Sequence, residues 1–176
     1  MKLDLVHDEV ERPWRPAAEI RRLAEELVAG TGPVDGELQI VLTDDATLLE
    51  LNREYRKKDC PTDVLSFSYL SDHEGARAAL LGGESAKKYA DPHSGGEETV
   101  LVGQVLISLE TVRERPAREG RDFDEEILFL MTHGLLHVLG YDHVDDEQAA
   151  EMEERERELF APILDEYRAI RGGGRP

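Results

Sequence analysis

The sequence predicts a single α/β (α+β) domain, a mixed sheet of four strands with surrounding helices and a central helix among them. Three observations lead there. Short runs rich in β-branched and aromatic residues alternate with segments of helical period. One helix, near residue 130, is apolar on almost every side in its second half, as a helix in the middle of a domain must be. The chain has 176 residues, the size of one ordinary domain with a real core.

The elements follow in order. Lys2 to Val6 alternates polar and apolar residues and reads as a first strand. Pro16 opens a helix with Ile20, Leu23, Leu27 and Val28 on one face, and Gly30 closes it. Glu37 to Leu42 is a second strand, after which Thr43 or Asp44 caps a helix through Leu48, Leu51 and Tyr55. Val64–Tyr69 and Val100–Ile107 are further strands. Ser108 starts a short helix that Pro116 must end or kink. Asp122, with Glu125 three residues on, caps the apolar helix Phe123–Leu139. Asp145 and Gln148 resemble a capping box for a last helix carrying Met152, Leu159 and Phe160, which Pro162 is expected to end or bend.

Two segments fall outside this pattern. Residues 71–99 hold five glycines, Pro92 and few large apolar side chains, and are expected to be a flexible insertion in a domain spanning residues 1–170. The glycine-rich tail from Gly172, within 171–176, is expected to be disordered.

Composition narrows the setting. No apolar run approaches the roughly 20 residues that span a bilayer, and the charged N-terminus has no signal-peptide core. Cys60 is the only cysteine, so no internal disulfide forms. Together these lead us to expect a cytoplasmic protein. The formal charge of −18 opposes phosphate on average. It is unevenly spread, however. Residues 53–58 carry four positive charges and one negative, whereas Asp145 to Glu158 holds eight acidic residues against two arginines. A phosphate site is expected near residues 53–58, and the acidic run can be a solvated helix face.

The strongest chemical signal is the run from His133 to His143. On a helix, His133 and His137 share a face and their imidazoles can converge. Gly140 can adopt the left-handed conformation that stops a helix and returns His143 to the pair. Three neutral imidazoles suit zinc or another first-row divalent metal, and three protein donors leave a coordination position for water. His7, His73 and His93 lack such spacing and read as surface or edge residues. The spacing equals that of metzincin peptidases, but Gly134 stands where those enzymes need a glutamate base, which weakens a peptidase reading. Asp142 can orient an imidazole or cap the turn.

The segment His133-Gly134-x-Leu136-His137-x-Leu139-Gly140-Tyr141-Asp142-His143 resembles the signature of the YbeY family of bacterial rRNA maturation factors. A second match is Leu51-Asn52-x-x-Tyr55-Arg56-x-Lys58-Asp59-x-Pro61-Thr62-Asp63-Val64-Leu65-Ser66-Phe67, and a third the strand Val102–Ser108, so the likeness spans roughly residues 35–160. The resemblance implies a mixed four-stranded sheet with one Zn2+ per chain on His133, His137 and His143, and Arg56 as the functional arginine. It also implies a single-strand-specific endoribonuclease of 16S rRNA 3′-end maturation and ribosome quality control, with single-stranded rRNA and the ribosome or its associated proteins as partners. This chain departs from the family pattern at Gln104, where aspartate is usual, and at Ser68, where proline is usual.

Phosphodiester cleavage gathers negative charge on the non-bridging oxygens, which a metal and the fork of Arg56 are suited to stabilise. The sequence leaves open whether a 2′-hydroxyl or a metal-bound hydroxide attacks. Two other readings stand beside the nuclease: a metal-dependent hydrolase of another bond, such as an amide, and a ribosome-associated factor whose metal is structural.

Overall fold

The structure is a computed structural model that describes residues 1–7, 18–32, 34, 36–70, 101–114 and 120–172. Its elements are β1 (Lys2–His7), α1 (Ala18–Ala29), β2 (Glu37–Thr43), α2 (Asp45–Arg56), β3 (Val64–Ser68), β4 (Leu101–Ser108), α3 (Leu109–Glu114), α4 (Phe123–Val138) and α5 (Asp146–Gly172). The four strands form one sheet in the order β1-β2-β4-β3. β1, β2 and β4 run parallel, and β3 pairs antiparallel with β4 at one edge. The expected mixed α/β architecture is therefore present.

Strand alternation divides the apolar residues between two faces. Leu5, Leu38, Ile40, Leu42, Val105 and Ile107 belong to the main core, with α1, α4 and α5. Val41, Leu65 and Leu106 face the other way, where Leu48 of α2 completes a smaller cluster. α4 lies inside the main core, with Ile127, Leu128, Met131, Leu135 and Leu136 fully buried. Each such side chain contributes roughly 1.5–3 kcal/mol through removal from water, so α4 is the best-anchored helix in the domain.

Two glycines let α4 approach the sheet. A Cβ on Gly134 would stand 2.4 Å from Val105 Cγ1, and one on Gly103 of β4 would stand 2.4 Å from Val138 Cγ1. Ser68, at the end of β3, donates from Oγ to the Val138 carbonyl at 2.8 Å, satisfying one of the carbonyls a helix C-terminus leaves open. A proline at that position, which has no hydroxyl, could not make this bond.

The start of α4 is a full capping box. Asp122 Oδ1 accepts the Glu125 N–H at 2.9 Å, and Glu125 Oε2 accepts the Asp122 N–H at 3.0 Å. At the start of α5, Asp145 accepts the Gln148 N–H at 2.8 Å, one half of the expected capping box. Of the two outcomes expected of Pro162, ending the helix is not the one seen: α5 continues to Gly172. Ile163 and Tyr167, buried beyond the proline, hold the last turns by packing, which outweighs the lost N–H. Gly172 is accordingly helical rather than the first residue of a tail, and 173–176 lie outside the described residues. So do Pro16, Pro116 and the 71–99 segment.

Candidate metal centre

The C-terminal turn of α4 is built to gather imidazoles. Gly140 has φ 88°, its N–H bonds the His137 carbonyl at 3.1 Å, and the Tyr141 N–H bonds the Leu136 carbonyl at 3.0 Å. This pair of bonds around a left-handed glycine is a Schellman turn. It reverses the chain so that His143 returns beside the helix: its ring centroid is 5.1 Å from that of His137 and 6.0 Å from that of His133. One nitrogen from each of the three rings lies within 4.8 Å of the other two.

The outer nitrogens fix the tautomers of two rings. His133 Nδ1 is 2.9 Å from Glu156 Oε2, and His137 Nδ1 is 3.0 Å from the Tyr141 carbonyl oxygen. A carboxylate and a carbonyl only accept, so both Nδ1 atoms carry the proton and both Nε2 atoms present lone pairs. Those two Nε2 atoms are 3.2 Å apart. Two acceptors facing each other at that distance repel unless a cation lies between them. Nitrogens bound at about 2.0–2.1 Å to a tetrahedral ion stand about 3.3 Å apart, so this pair is spaced to hold one divalent metal, with a His143 nitrogen within 4.8 Å of both. Burial, and then the neighbouring His133, push the His137 imidazole down to about 4, so it is neutral and able to coordinate at pH 7.

Glu156 escaped the sequence reading, which singled out no residue of the acidic run. Its signal was spacing: Glu156 lies four residues from both Met152 and Phe160, on the buried stripe of α5. An acid on an apolar stripe needs a partner, and here the partner is His133. The wall behind is also ordered. Phe129 stacks on His133 at 6.1 Å, and the Arg121 guanidinium lies 3.9 Å from the centre of the same ring. Asp142 takes the second of its two readings. Its Oδ1 accepts the His143 N–H at 2.8 Å and stands 4.0 Å from His137 Nδ1, so it caps the turn.

His133 and His143 open onto a cleft of about 330 Å3, lined also by Asp63, Val64, Phe129, Met152, Glu153 and Glu156. Arg56 is not on that lining. It is the exposed last residue of α2, followed by Lys57 in a left-handed conformation at φ 57°. Arg53 pairs with Asp59, and Lys57 donates to the Glu54 carbonyl. Among the described residues neither the Arg56 nor the Lys58 side chain has a partner. The loop after Arg56 ends at Asp63 on the cleft wall. His7 closes β1, away from the triad in sequence and fold, while His73 and His93 lie outside the described residues.

Gly134 faces Val105 and Ser66 rather than the cleft. A glutamate there would have to enter the helix–sheet interface. Packing as well as residue identity therefore speaks against the glutamate base of the peptidase arrangement.

Comparison with known proteins shows the family. The family model described as "Endoribonuclease YbeY" matches residues 7–163. Proteins named Endoribonuclease YbeY are 40% identical in Paramagnetospirillum magneticum, over 84% of this chain and 82% of theirs. The one from Moorella thermoacetica is 39% identical, covering 80% of this chain and 78% of its own. A Thermotoga maritima protein solved in solution has the same fold, with a TM-score of 0.58 at 21% identity over 96% of this chain and 93% of that one.

Proposed function

The chain belongs to the YbeY endoribonuclease family, and from that premise we propose that it is a zinc-dependent, single-strand-specific endoribonuclease of 16S rRNA 3′-end maturation and ribosome quality control. In this reading it cleaves RNA phosphodiester bonds in the cytoplasm, on the ribosome or with ribosome-associated proteins. No helix among the described residues is long and apolar enough to cross a membrane.

The observation that carries the reading is the pair of Nε2 acceptors 3.2 Å apart, with their outer nitrogens already held, at the edge of an open cleft. His133, His137 and His143 would hold the metal. When bound, a zinc ion supplies polarisation of a phosphate oxygen and lowers the pKa of a bound water toward 7. Glu156 and the Tyr141 carbonyl keep two of the rings aimed. Arg56, unpartnered at the head of the loop that leads to Asp63, holds the scissile phosphate with its planar fork.

The test is incubation of the metal-loaded protein with one RNA sequence, single- and double-stranded, and with a peptide substrate. Cleavage of the single strand alone, lost on chelation and restored by zinc, is expected. Arg56→Ala should fold, keep its metal and cleave about a hundredfold more slowly or worse, and Arg56→Lys should not restore full activity. Wild-type cleavage by Arg56→Ala removes that residue from the mechanism. Cleavage of no RNA by the wild type, with metal bound, would favour a binding factor instead.

A further inference from the structure

We propose that the face of the sheet turned away from the metal, from Tyr55 and Phe67 across Gln104 to Gln39, is a base-binding platform for single-stranded RNA. The proposal rests on the nuclease reading and adds where the unpaired bases lie.

The register places Phe67 opposite Gln104, Gln104 opposite Gln39, and Gln39 opposite Asp4, so these four side chains form one row across all four strands. α2 covers only the apolar end of this face, over Val41, Leu65 and Leu106. Tyr55 is 60% exposed and meets the Phe67 ring edge-on at 5.2 Å, and Tyr69 is 36% exposed.

The amides of this row are oriented by one end. The Asp4 carboxylate only accepts, so Gln39 must turn Nε2 toward it, at 3.0 Å. Gln39 Oε1 then accepts from Gln104 Nε2, and Gln104 Oε1 accepts the Tyr69 hydroxyl. Each amide keeps one N–H and one lone pair beyond these bonds. Gln104 and Gln39, half-buried, thus present a fixed pattern of donors and acceptors beside exposed rings. Unpaired bases have both things such a surface recognises, a free π-face and a free hydrogen-bonding edge; a duplex hides both.

Charge decides the direction of the strand. Arg56 and Lys58, adjoining Tyr55, have no partner among the described residues, and Asp4 closes the far end of the row. The phosphates therefore follow the α2 side while the bases point across Gln104 toward Gln39. β3 is the edge strand, with Phe67 on this face and Asp63, just before its first residue, on the wall of the metal cleft. A strand held on the platform reaches the metal by passing around that edge. The glutamine at 104 suits this role because an aspartate would add a second negative charge to the row.

The experiment uses the full-length, metal-loaded protein with Tyr55→Ala and Gln104→Leu, singly and together. Binding of a short fluorescein-labelled single-stranded RNA is measured by anisotropy beside an abasic strand of equal length. KM and kcat are measured on the cleavable form. Loss of a stacked base predicts a drop in affinity of about tenfold or more, with KM raised by the same factor, kcat kept and metal content unchanged. The abasic strand should bind wild type and variants alike. Equal RNA affinity of the double variant and wild type would overturn the platform and leave the nuclease reading standing; a face that docks a protein would give this result. Equal losses on normal and abasic strands would overturn it too, reassigning the effect to the phosphates. Wild-type protein that neither binds nor cuts RNA would overturn both readings.

Discussion

The two faces of the sheet solve different problems with different materials. On the closed face, position is set by backbone and burial. α4 is pressed onto β4 through Gly134 and Gly103, and a Schellman turn at Gly140 delivers His143 and the Tyr141 carbonyl. On the open face, α2 and its apolar cluster hold one end, and beyond it position is set by side chains, in the Asp4–Gln39–Gln104–Tyr69 row and in Arg56 and Lys58, which have no partner among the described residues. A metal centre needs donors fixed to fractions of an ångström, which a close-packed helix supplies. A surface for a flexible polymer needs exposed chemistry that water can reach. The difference predicts that substitutions on the closed face act on metal and stability, and those in the open row on neither.

The largest expected effect is at the triad itself. His137→Ala should leave the purified protein with essentially no bound metal by elemental analysis, whereas His93→Ala should keep one ion per chain. Equal metal in the two variants would move the centre elsewhere.

Next in size is Gly134→Ala. The added methyl would lie 2.4 Å from Val105 Cγ1 and 3.0 Å from Ser66 Oγ, so the helix or the strand must shift. Overpacking of this kind costs about 1–3 kcal/mol, and urea unfolding should fall at the upper end. Adding Val105→Ala should recover part of the loss. If Gly134→Ala alone were as stable as wild type, the closed face is looser than its geometry states.

Much of this was legible in the sequence, and the exceptions have causes. The four strands and five helices among the described residues show in the residue periods and in their caps. The three histidines stood out because i, i+4 spacing and a glycine at the turn are local features, and the structure does bring their nitrogens together. Glu156 did not stand out, since its partner His133 lies on another helix and no local pattern records a tertiary contact. Whether Pro162 would stop the helix was open for the same reason: propensity speaks for stopping it, and the packing of Ile163 and Tyr167 decides otherwise. Gly134 was legible as a missing base, but its steric reason required the partner strand.

A smaller effect tests the support of the centre. Glu156→Gln keeps the shape of the side chain but weakens the acceptor on His133 Nδ1. Loss of such an outer partner typically lowers metal affinity about 10–100-fold, measurable by competition with a chromogenic chelator. Unchanged affinity would make Glu156 a packing residue only.

The other end of α4 gives a pH-dependent prediction. Arg168, at 2.6 and 3.1 Å from the Glu125 carboxylate, foremost, and then the Asp122 N–H, hold that carboxyl below its ordinary value near 4.5, against the opposing effect of burial. A depressed carboxyl stabilises the fold above its unfolded pKa, and that contribution disappears as pH falls through the folded value. Glu125→Gln should therefore be less stable than wild type by about 1–2 kcal/mol at neutral pH. The gap should narrow on acidification below 4.5. A gap that stayed constant down to acid unfolding would mean the charge is not what the pair contributes.

The smallest expected effect belongs to the open face, and the contrast depends on it. Gln104→Leu removes two hydrogen bonds of the row, one to Gln39 and one from Tyr69. Were this a buried network, leaving those partners unpaired would cost about 1–3 kcal/mol. Gln39 and Gln104 are only half-buried and Tyr69 is exposed, so water can take the place of the lost amide at both partners. Leucine also keeps the side-chain volume and suits a strand no worse than glutamine. The cost should therefore stay within about 0.5 kcal/mol, with metal content unchanged, while RNA affinity falls. Urea unfolding of Gln104→Leu beside Gly134→Ala, in one buffer, measures both faces on one scale. A Gln104→Leu protein destabilised as much as Gly134→Ala would mean that the row holds the sheet together, and the division between a face that sets position and a face that meets the substrate would be lost.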